Sequence, residues 1–419
     1  MSSSSGPRRS ARLAHRSIDS KSSVRCGYTD RNAHSLLLKE MAGVDCIPKK
    51  RRNTKGSLPF LPEEVVYNIL VFVPAEILYN VMRYVCQAWC NVINNPEFIN
   101  AHLQKSTSGI LIQHWDEDHP EVIHFVEINN CDVWTRELRY GFSRPICASC
   151  DGLVLFPHDS NDLLFRVGNP ITKQILTLPP LVGPIFHDTR SALVYVHSIR
   201  RYKVVIVFRV NSLEFKCAIL TVGAETAWRL IDTKHIPCAN VYLFESSPLS
   251  AGEYLYWTPN SRACSYLLAL DVEAEIMHQL PDPKIFKEKG GYFLATENFL
   301  ALMVRRKEFL WEVWVLTELH TGEWTRLYNI DLTGEGDMLN QMLHPQICSL
   351  RRYLYPFVWL KNGDLVIFQV TDPSRTYIVY NIKTAEVTSF AMGKDVRDII
   401  YRNNIYCAHV NSLVSLKVG

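Results

Sequence analysis

Between residues 58 and 103 apolar side chains recur at helical spacing. Val65, Val66, Ile69, Leu70 and Val73 fall at i, i+1, i+4, i+5 and i+8, which is one face of an α-helix. Pro62 suits a first helical position, where its missing N–H would go unpaired anyway. Glu63 and Glu64 then put negative charge at the helix N-terminus. Pro74 stops this helix and starts the next, in which Ile77, Leu78, Val81, Met82 and Val85 repeat the spacing. A third short helix carries Trp89, Val92 and Ile93, and Asn95-Pro96 ends it. Three such short helices cannot bury all of their apolar faces on one another, so a partner or an adjacent domain must cover some of them.

From about residue 108 the period changes from 3.6 to 2, and short β-rich runs separated by turn residues continue to residue 419. Gly152-Leu153-Val154-Leu155-Phe156, Tyr254-Leu255-Tyr256-Trp257 and Leu365-Val366-Ile367-Phe368 are examples. An outline recurs: an apolar strand, a turn rich in Asn, Asp, Thr, Gly and Glu, then a strand with a terminal apolar residue. Those terminal residues are Leu178, Leu230, Leu280, Leu327 and Phe390, spaced 52, 50, 47 and 63 residues apart. A period near 50 is that of four-stranded kelch-type blades. The wide last interval leaves room for a loop-rich insertion at 331–352. Paired β runs number about seven, which suits a propeller of about six or seven blades, and the last strands can pair with the first to close a ring, which removes open edges. A stacked pair of sandwiches is the structural alternative. The fold class expected is therefore α+β multidomain, a small three-helix unit at 58–103 followed by an all-β propeller over 108–419. Eight of the nine tryptophans lie in the β region, as blade core or, for one or two, at a propeller mouth where they could hold a target.

Charge changes the picture at one end. Residues 1–56 carry thirteen Lys/Arg against four Asp/Glu, and nine of residues 2–23 are serine, so this stretch reads as a disordered basic arm. The whole chain is at +3, leaving the remainder about −6. Lys49, Lys50, Arg51 and Arg52 form a compact run that suits nuclear import, with a solvated linker as the plain alternative. Nuclear nucleic-acid or chromatin binding through the arm is the alternative function. The body is not a broad phosphate-binding surface, and the helical segment has only Arg83 against Glu63, Glu64, Glu76 and Glu97. Twelve dispersed cysteines and no Asn-x-Ser/Thr sequon fit a reducing compartment, nucleus or cytoplasm. Neither a secretory leader nor a membrane span is expected.

Candidates for chemistry are weak. Cys147-x-x-Cys150 has the spacing of half a zinc site or a redox pair, but nothing complements it, and two small residues entering a strand is the plainer reading. Cys86 and Cys90 share a helical face with Trp89 and read as packing. Asp116, Glu117, Asp118 and His119 read as a hydrated hairpin tip rather than a metal or acid/base site. No phosphate-cradling loop, metalloprotease motif or nucleophile elbow is present. An enzyme is not expected, and no cofactor is implied.

The helical segment resembles an F-box. The residues that carry the likeness are Leu61-Pro62, Ile69-Leu70, Pro74, Leu78, Val85-Cys86-x-x-Trp89 and Pro96-x-Phe98. The β region is similar to plant F-box-associated domains, through Ser149-Cys150-Asp151-Gly152-Leu153-Val154, Val167-Gly168-Asn169-Pro170-Ile171-Thr172-Lys173 and Leu178-Pro179-Pro180. Gly252-x-x-Leu255-Tyr256-Trp257, Trp311-Glu312-Val313-Trp314 and Gly322-Glu323-Trp324 continue it. The chain departs from that pattern in its basic arm and in the unit 191–230, which lacks a Leu-Pro end. The resemblance implies docking on a Skp-family adaptor and, through it, a cullin-RING ubiquitin ligase. A protein target would be held on the kelch-like domain. Leu61, Pro62, Ile69, Leu70, Pro74, Leu78, Val85 and Trp89 are the implied adaptor-binding residues.

Overall fold

A computed structural model describes residues 61–416, apart from 115–121, 130–131, 140–143, 159–160, 183–185, 212–213, 234–235, 237–242, 245, 260–265, 344–352, 361–363, 372–375 and 392–403. The basic arm 1–56, with Lys49, Lys50, Arg51 and Arg52, lies outside the described residues. So does the stretch Asp116, Glu117, Asp118 and His119.

The helical part comprises α1 (Glu63–Leu70), α2 (Ala75–Asn80), a 3-10 turn (Met82–Tyr84), α3 (Gln87–Ile93) and α4 (Pro96–Lys105). Pro62 and Pro74 occupy the cap positions just before α1 and α2, one residue ahead of the first helical position expected. The second helix is shorter than its apolar spacing suggests. Val81 leaves helical geometry (φ −128°), and the chain tightens into the 3-10 turn that turns Met82 inward. Asn95-Pro96 ends the third helix and also starts a fourth. The Asn95 side chain accepts a hydrogen bond from Glu97 N at 2.8 Å and Pro96 sits at the first turn. This fourth helix buries Phe98 and His102.

The β part is a propeller of six four-stranded antiparallel sheets. β1 (Ser108–His114), β2 (Val122–Asn129) and β3 (Asp132–Arg139) begin it. β4 (Ala148–Cys150), β5 (Leu153–His158), β6 (Asn161–Gly168) and β7 (Ile175–Thr177) form the next blade. β8 (Phe186–Val196), β9 (Arg201–Asn211), β10 (Glu214–Thr221) and β11 (Arg229–Ile231) form a further one. β12 (Leu249–Ala251), β13 (Tyr254–Trp257), β14 (Tyr266–Asp271) and β15 (Ile276–Pro281) follow, then α5 (Lys284–Lys289). β16 (Tyr292–Ala295), β17 (Leu300–Lys307), β18 (Leu310–Glu318) and β19 (Glu323–Asp331) lead to α6 (Gly336–Leu343). β20 (Leu354–Leu360), β21 (Leu365–Val370), β22 (Thr376–Asn381) and β23 (Val387–Ala391) form the last consecutive blade. Finally β24 (Asn404–Val410) pairs with β1 and completes the sheet β24-β1-β2-β3. The first and last β runs thus share one blade, which is why a count along the chain overshoots six. The insertion 331–352 is not all loop: α6 buries Leu339 and Leu343.

The strands read as unbroken apolar runs because both faces are buried. Leu153 and Leu155 face the seam with the β8–β11 blade, whereas Val154 and Phe156 face the seam with the closing blade. In β1, Leu111 lies in this second seam and Ile110 and Ile112 in the one with the β20–β23 blade. Apolar clusters fill the remaining three seams too, so the ring is closed by packing as well as by strand pairing. Three of the links between third and fourth strands share one turn geometry. In turns 169–173, 271–275 and 381–385 the fifth residue is left-handed (Lys173 φ 59°, Glu275 φ 61°, Ala385 φ 57°), and an Asn or Asp oxygen at the first position accepts backbone N–H groups. This turn is the recurring Asn/Asp-Thr-Glu text of the sequence. Of the five terminal residues of that repeat, Leu178, Leu280 and Phe390 are buried, but Leu230 and Leu327 face solvent.

Candidate functional site

Consecutive antiparallel strands put turns alternately at the two ends of the propeller. Links from first to second and from third to fourth strands lie at one end; second-to-third links and blade-to-blade links lie at the other. The helices sit at the first end. Ile171, in the β6–β7 turn, joins the helix core of Val66, Leu70, Leu78, Ile93 and Phe98. Tyr79 Oη donates to Thr172 O at 2.9 Å, and Arg136 of β3 pairs with Glu76 of α2 at 3.0 Å and with Glu127 at 3.1 Å. Inside the cluster, Phe98 meets the Tyr67 ring edge-on at 5.3 Å. His102 Nε2 donates to Val73 O at 2.8 Å, and burial pushes its imidazolium pKa down, so it is a neutral brace.

On the side turned away from that core the helices carry a patch of exposed apolar side chains. α1 contributes Val65 and Ile69 (53% exposed), flanked by Leu61 before it and Phe72 (71%) after it; the 3-10 turn contributes Tyr84 (69%), followed by Val85. The Arg83 guanidinium lies over the Tyr79 ring at 3.6 Å and the Tyr84 ring at 4.7 Å, and fixes the latter at the patch. Six large apolar side chains exposed on one small helical unit mark an interaction site.

The eight implied adaptor-binding residues divide between the two sides. Leu61, Pro62, Ile69, Pro74 and Val85 are exposed. Leu70 (1% exposed) and Leu78 (0%) are core, and Trp89 packs half-buried against that core. Val65, Phe72 and Tyr84 are also exposed and were not among the implied adaptor-binding residues. Their signal was available in part: Leu61, Val65, Ile69 and Phe72 fall at i, i+4, i+8 and i+11, a helical spacing that runs from just before α1 to just after it.

The opposite end of the propeller holds a cavity of about 520 Å³. Its walls come from Phe286 and the turn Gly290-Gly291 after α5, from Tyr292 and Phe293 at the start of β16, and from Tyr355 and Phe357 of β20. Thr258 and Ser246 add hydroxyls. The Tyr292 and Tyr355 rings lie nearly parallel with centroids 6.0 Å apart, and Tyr355 Oη donates to Gln369 Oε1 at 2.7 Å, which fixes that face. Gly291 is required by space, because a Cβ there would lie 2.7 Å from Met303 O. Volume and aromatic lining are those of a ligand- or side-chain-sized site. Among the described residues no tryptophan lines it. Trp257, Trp311 and Trp359 are buried, while Trp134 is exposed on an outer strand.

The thiols lie elsewhere. Cys147 and Cys150 are half-buried and free; burial pushes the former up to about 11 and the latter also upward, so both are thiols rather than thiolates near neutral pH. Cys86 is exposed and Cys90 half-buried. Among the described residues no group of three or more His, Cys, Asp or Glu side chains could hold a metal ion, and no helix is long and apolar enough to cross a membrane.

Comparison with known proteins adds the family. The F-box associated beta propeller domain matches residues 111–412. An Arabidopsis thaliana F-box/kelch-repeat protein is 25% identical over 317 residues, covering 66% of this chain and 72% of the relative. Another F-box/kelch-repeat protein of that plant is 24% identical over 386 residues, covering 83% and 88%. An F-box protein of the same plant is 24% identical over 190 residues, covering 43% and 47%.

Proposed function

The chain belongs to the F-box associated beta propeller domain family, and from that premise we propose that it is the substrate-recognition subunit of a Skp–cullin–F-box ubiquitin ligase. The observation that carries the reading is the exposed apolar patch on the helices. It faces away from a core the helices already share with the propeller, and it lies at the end opposite the aromatic cavity. In this reading the helices are an F-box. Leu61, Pro62, Val65, Ile69, Phe72, Pro74, Tyr84 and Val85 enter the groove of a Skp-family adaptor, while Leu70, Leu78 and Trp89 hold the helices in shape from beneath. Each of the six exposed side chains other than the prolines contributes up to about 1.5–3 kcal/mol when buried on docking, and together they offset the cost of association.

The propeller then holds a protein target, with the cavity as its binding site. The chain does no covalent chemistry of its own. Acceleration comes from holding a target lysine near the activated ubiquitin, which turns a bimolecular encounter into an effectively intramolecular one. The names of the plant relatives support the same assignment.

The test is co-purification of the full chain with a Skp-family adaptor. Ile69→Asp and Phe72→Asp change side chains that face solvent, so the fold is retained. Each is expected to weaken adaptor binding by about 100-fold or more if these are central contacts. Trp134→Ala, on an exposed outer strand, should leave it unchanged. Adaptor binding that survives the Ile69→Asp, Phe72→Asp double variant would refute the reading.

A further inference from the structure

Where the helices meet the propeller, one turn grips two things. Turn 169–174 joins β6 to β7. Towards the helices, its Thr172 carbonyl accepts the Tyr79 hydroxyl at 2.9 Å and its Ile171 is buried among Leu70, Leu78 and Phe98. Towards the axis it grips the segment 411–416, which follows β24 and is neither helix nor strand. Ser412, Leu413 and Val414 of this segment are nonetheless buried.

A buried irregular segment needs partners for its backbone groups, and the turn supplies them. Asn169 Nδ2 donates to Ser412 O at 3.1 Å and to Val414 O at 2.8 Å. Its Oδ1 accepts from Ile171 N at 2.7 Å and Thr172 N at 3.1 Å. All four hydrogen-bonding positions of the amide are therefore filled. Gln174 Oε1 accepts from Leu416 N and from Ser415 Oγ, each at 3.0 Å. Ser412 Oγ donates to Asp151 O at 2.5 Å, beside Gly152 (φ 83°), where a Cβ would lie 2.2 Å from that same hydroxyl. So held, Leu413 points into the helix core and Val414 into the seam between the β4–β7 and β8–β11 blades.

The sister turns show what a turn alone requires. Asp271 Oδ1 accepts from Ala274 N, and Asn381 Oδ1 accepts from Lys383 N and Thr384 N. An oxygen suffices there, so the two N–H groups of Asn169 are surplus to its turn and serve the segment.

We infer that turn 169–174 and segment 411–416 form a bracket that locks the helices to the propeller, with Asn169 as its positioning residue. The bracket holds the apolar patch in a fixed direction relative to the cavity. Its use as a spacer between adaptor and target rests on the ligase reading; its existence does not.

Asn169→Asp in the full chain tests it, since aspartate keeps the turn's oxygen but removes both donors and sets a carboxylate against two carbonyls. Hydrogen exchange should become about tenfold faster in residues 63–105 while the blade strands keep their protection. Energy transfer between dyes on unnatural amino acids at Asn68 and Glu323 should broaden. Asn381→Asp, the same change in a turn without the clamp, should leave both readouts as in the parent chain. Parent-like exchange and a narrow transfer distribution in Asn169→Asp would overturn the bracket. Should that variant not fold, Tyr79→Phe removes only the hydroxyl on the helix side and must still speed exchange in α2; unchanged exchange there overturns the bracket equally. A parent chain that fails to bind any Skp-family adaptor would sink the ligase reading and leave the exchange comparison to decide the bracket.

Discussion

His409 shows how one side chain ties the closing strand to its neighbour. It lies on β24, nearly fully buried, and its Nδ1 shares a hydrogen bond of 2.7 Å with Ser149 Oγ of β4. The Phe125 ring meets it edge-on at 5.7 Å. Burial pushes its pKa down to about 3, against about 6.5 for an unfolded histidine. Above pH 6.5 both states leave the ring neutral and its burial carries no protonation penalty. Below that, the unfolded chain takes up a proton that the folded chain refuses until about pH 3. Stability therefore falls with acidification through this window by up to about 1.4 kcal/mol per pH unit. His102 and His124 are pushed in the same direction, also by burial, so their contributions add to this slope. In His409→Asn, whose Oδ1 can replace Nδ1 towards Ser149, denaturant unfolding at pH 7 and pH 4.5 should differ by about 2 kcal/mol less than in the parent chain. An identical difference in both proteins would mean that the ring is not held neutral.

At the scale of elements, the outer strands separate what the sequence can say from what it cannot. In β11, Leu230 is 61% exposed and the adjacent Ile231 is 8% exposed. Leu230→Ala should change stability by no more than about 0.5 kcal/mol, and Ile231→Ala should cost about 2–3 kcal/mol, measured by urea unfolding; the reverse order would place the strand one residue out of register. The repeat period near 50 and the turn text were legible in the sequence. Which of two neighbouring apolar residues points inward was not, because a one-residue shift exchanges the faces of a strand and an outer strand of three residues has little pattern to fix it. The helices pose the same problem. α1 and the residues after it are apolar on nearly every side, so Ile69 and Leu70 look alike until Phe98, Ile171 and Leu413, distant in sequence, cover one of them. The resemblance named Ile69, Leu70 and Leu78 as one set, and the sequence held nothing to say that Ile69 would be exposed and Leu70 and Leu78 core. The cavity left no motif at all, since Phe286, Tyr292 and Tyr355 come from three elements and meet only when blades are set side by side.

For the whole molecule, the question is whether six blades unfold as one body. Each apolar seam is shared by two blades, so no blade has a core of its own, and the closing blade draws β24 and β1 from opposite ends of the β region. A ring built this way has no natural first point of failure, and damage at the closure should lower the stability of every blade together. Gly109 of β1 offers the place to test it. A Cβ there would lie 2.2 Å from Val126 O on β2 and 2.9 Å from the Phe125 ring. Gly109→Val therefore forces β1 away from β2 at the closing sheet, a strain of about 1–3 kcal/mol by the usual cost of overfilled sites. With blades coupled through shared seams, calorimetry should still show one transition, shifted to lower temperature. Fluorescence from Trp257 and Trp311, whose blades do not adjoin that of β1, should follow the same curve. An early transition that leaves those tryptophans unperturbed would show instead that the closing blade comes away alone and that the seams beyond it stand without closure.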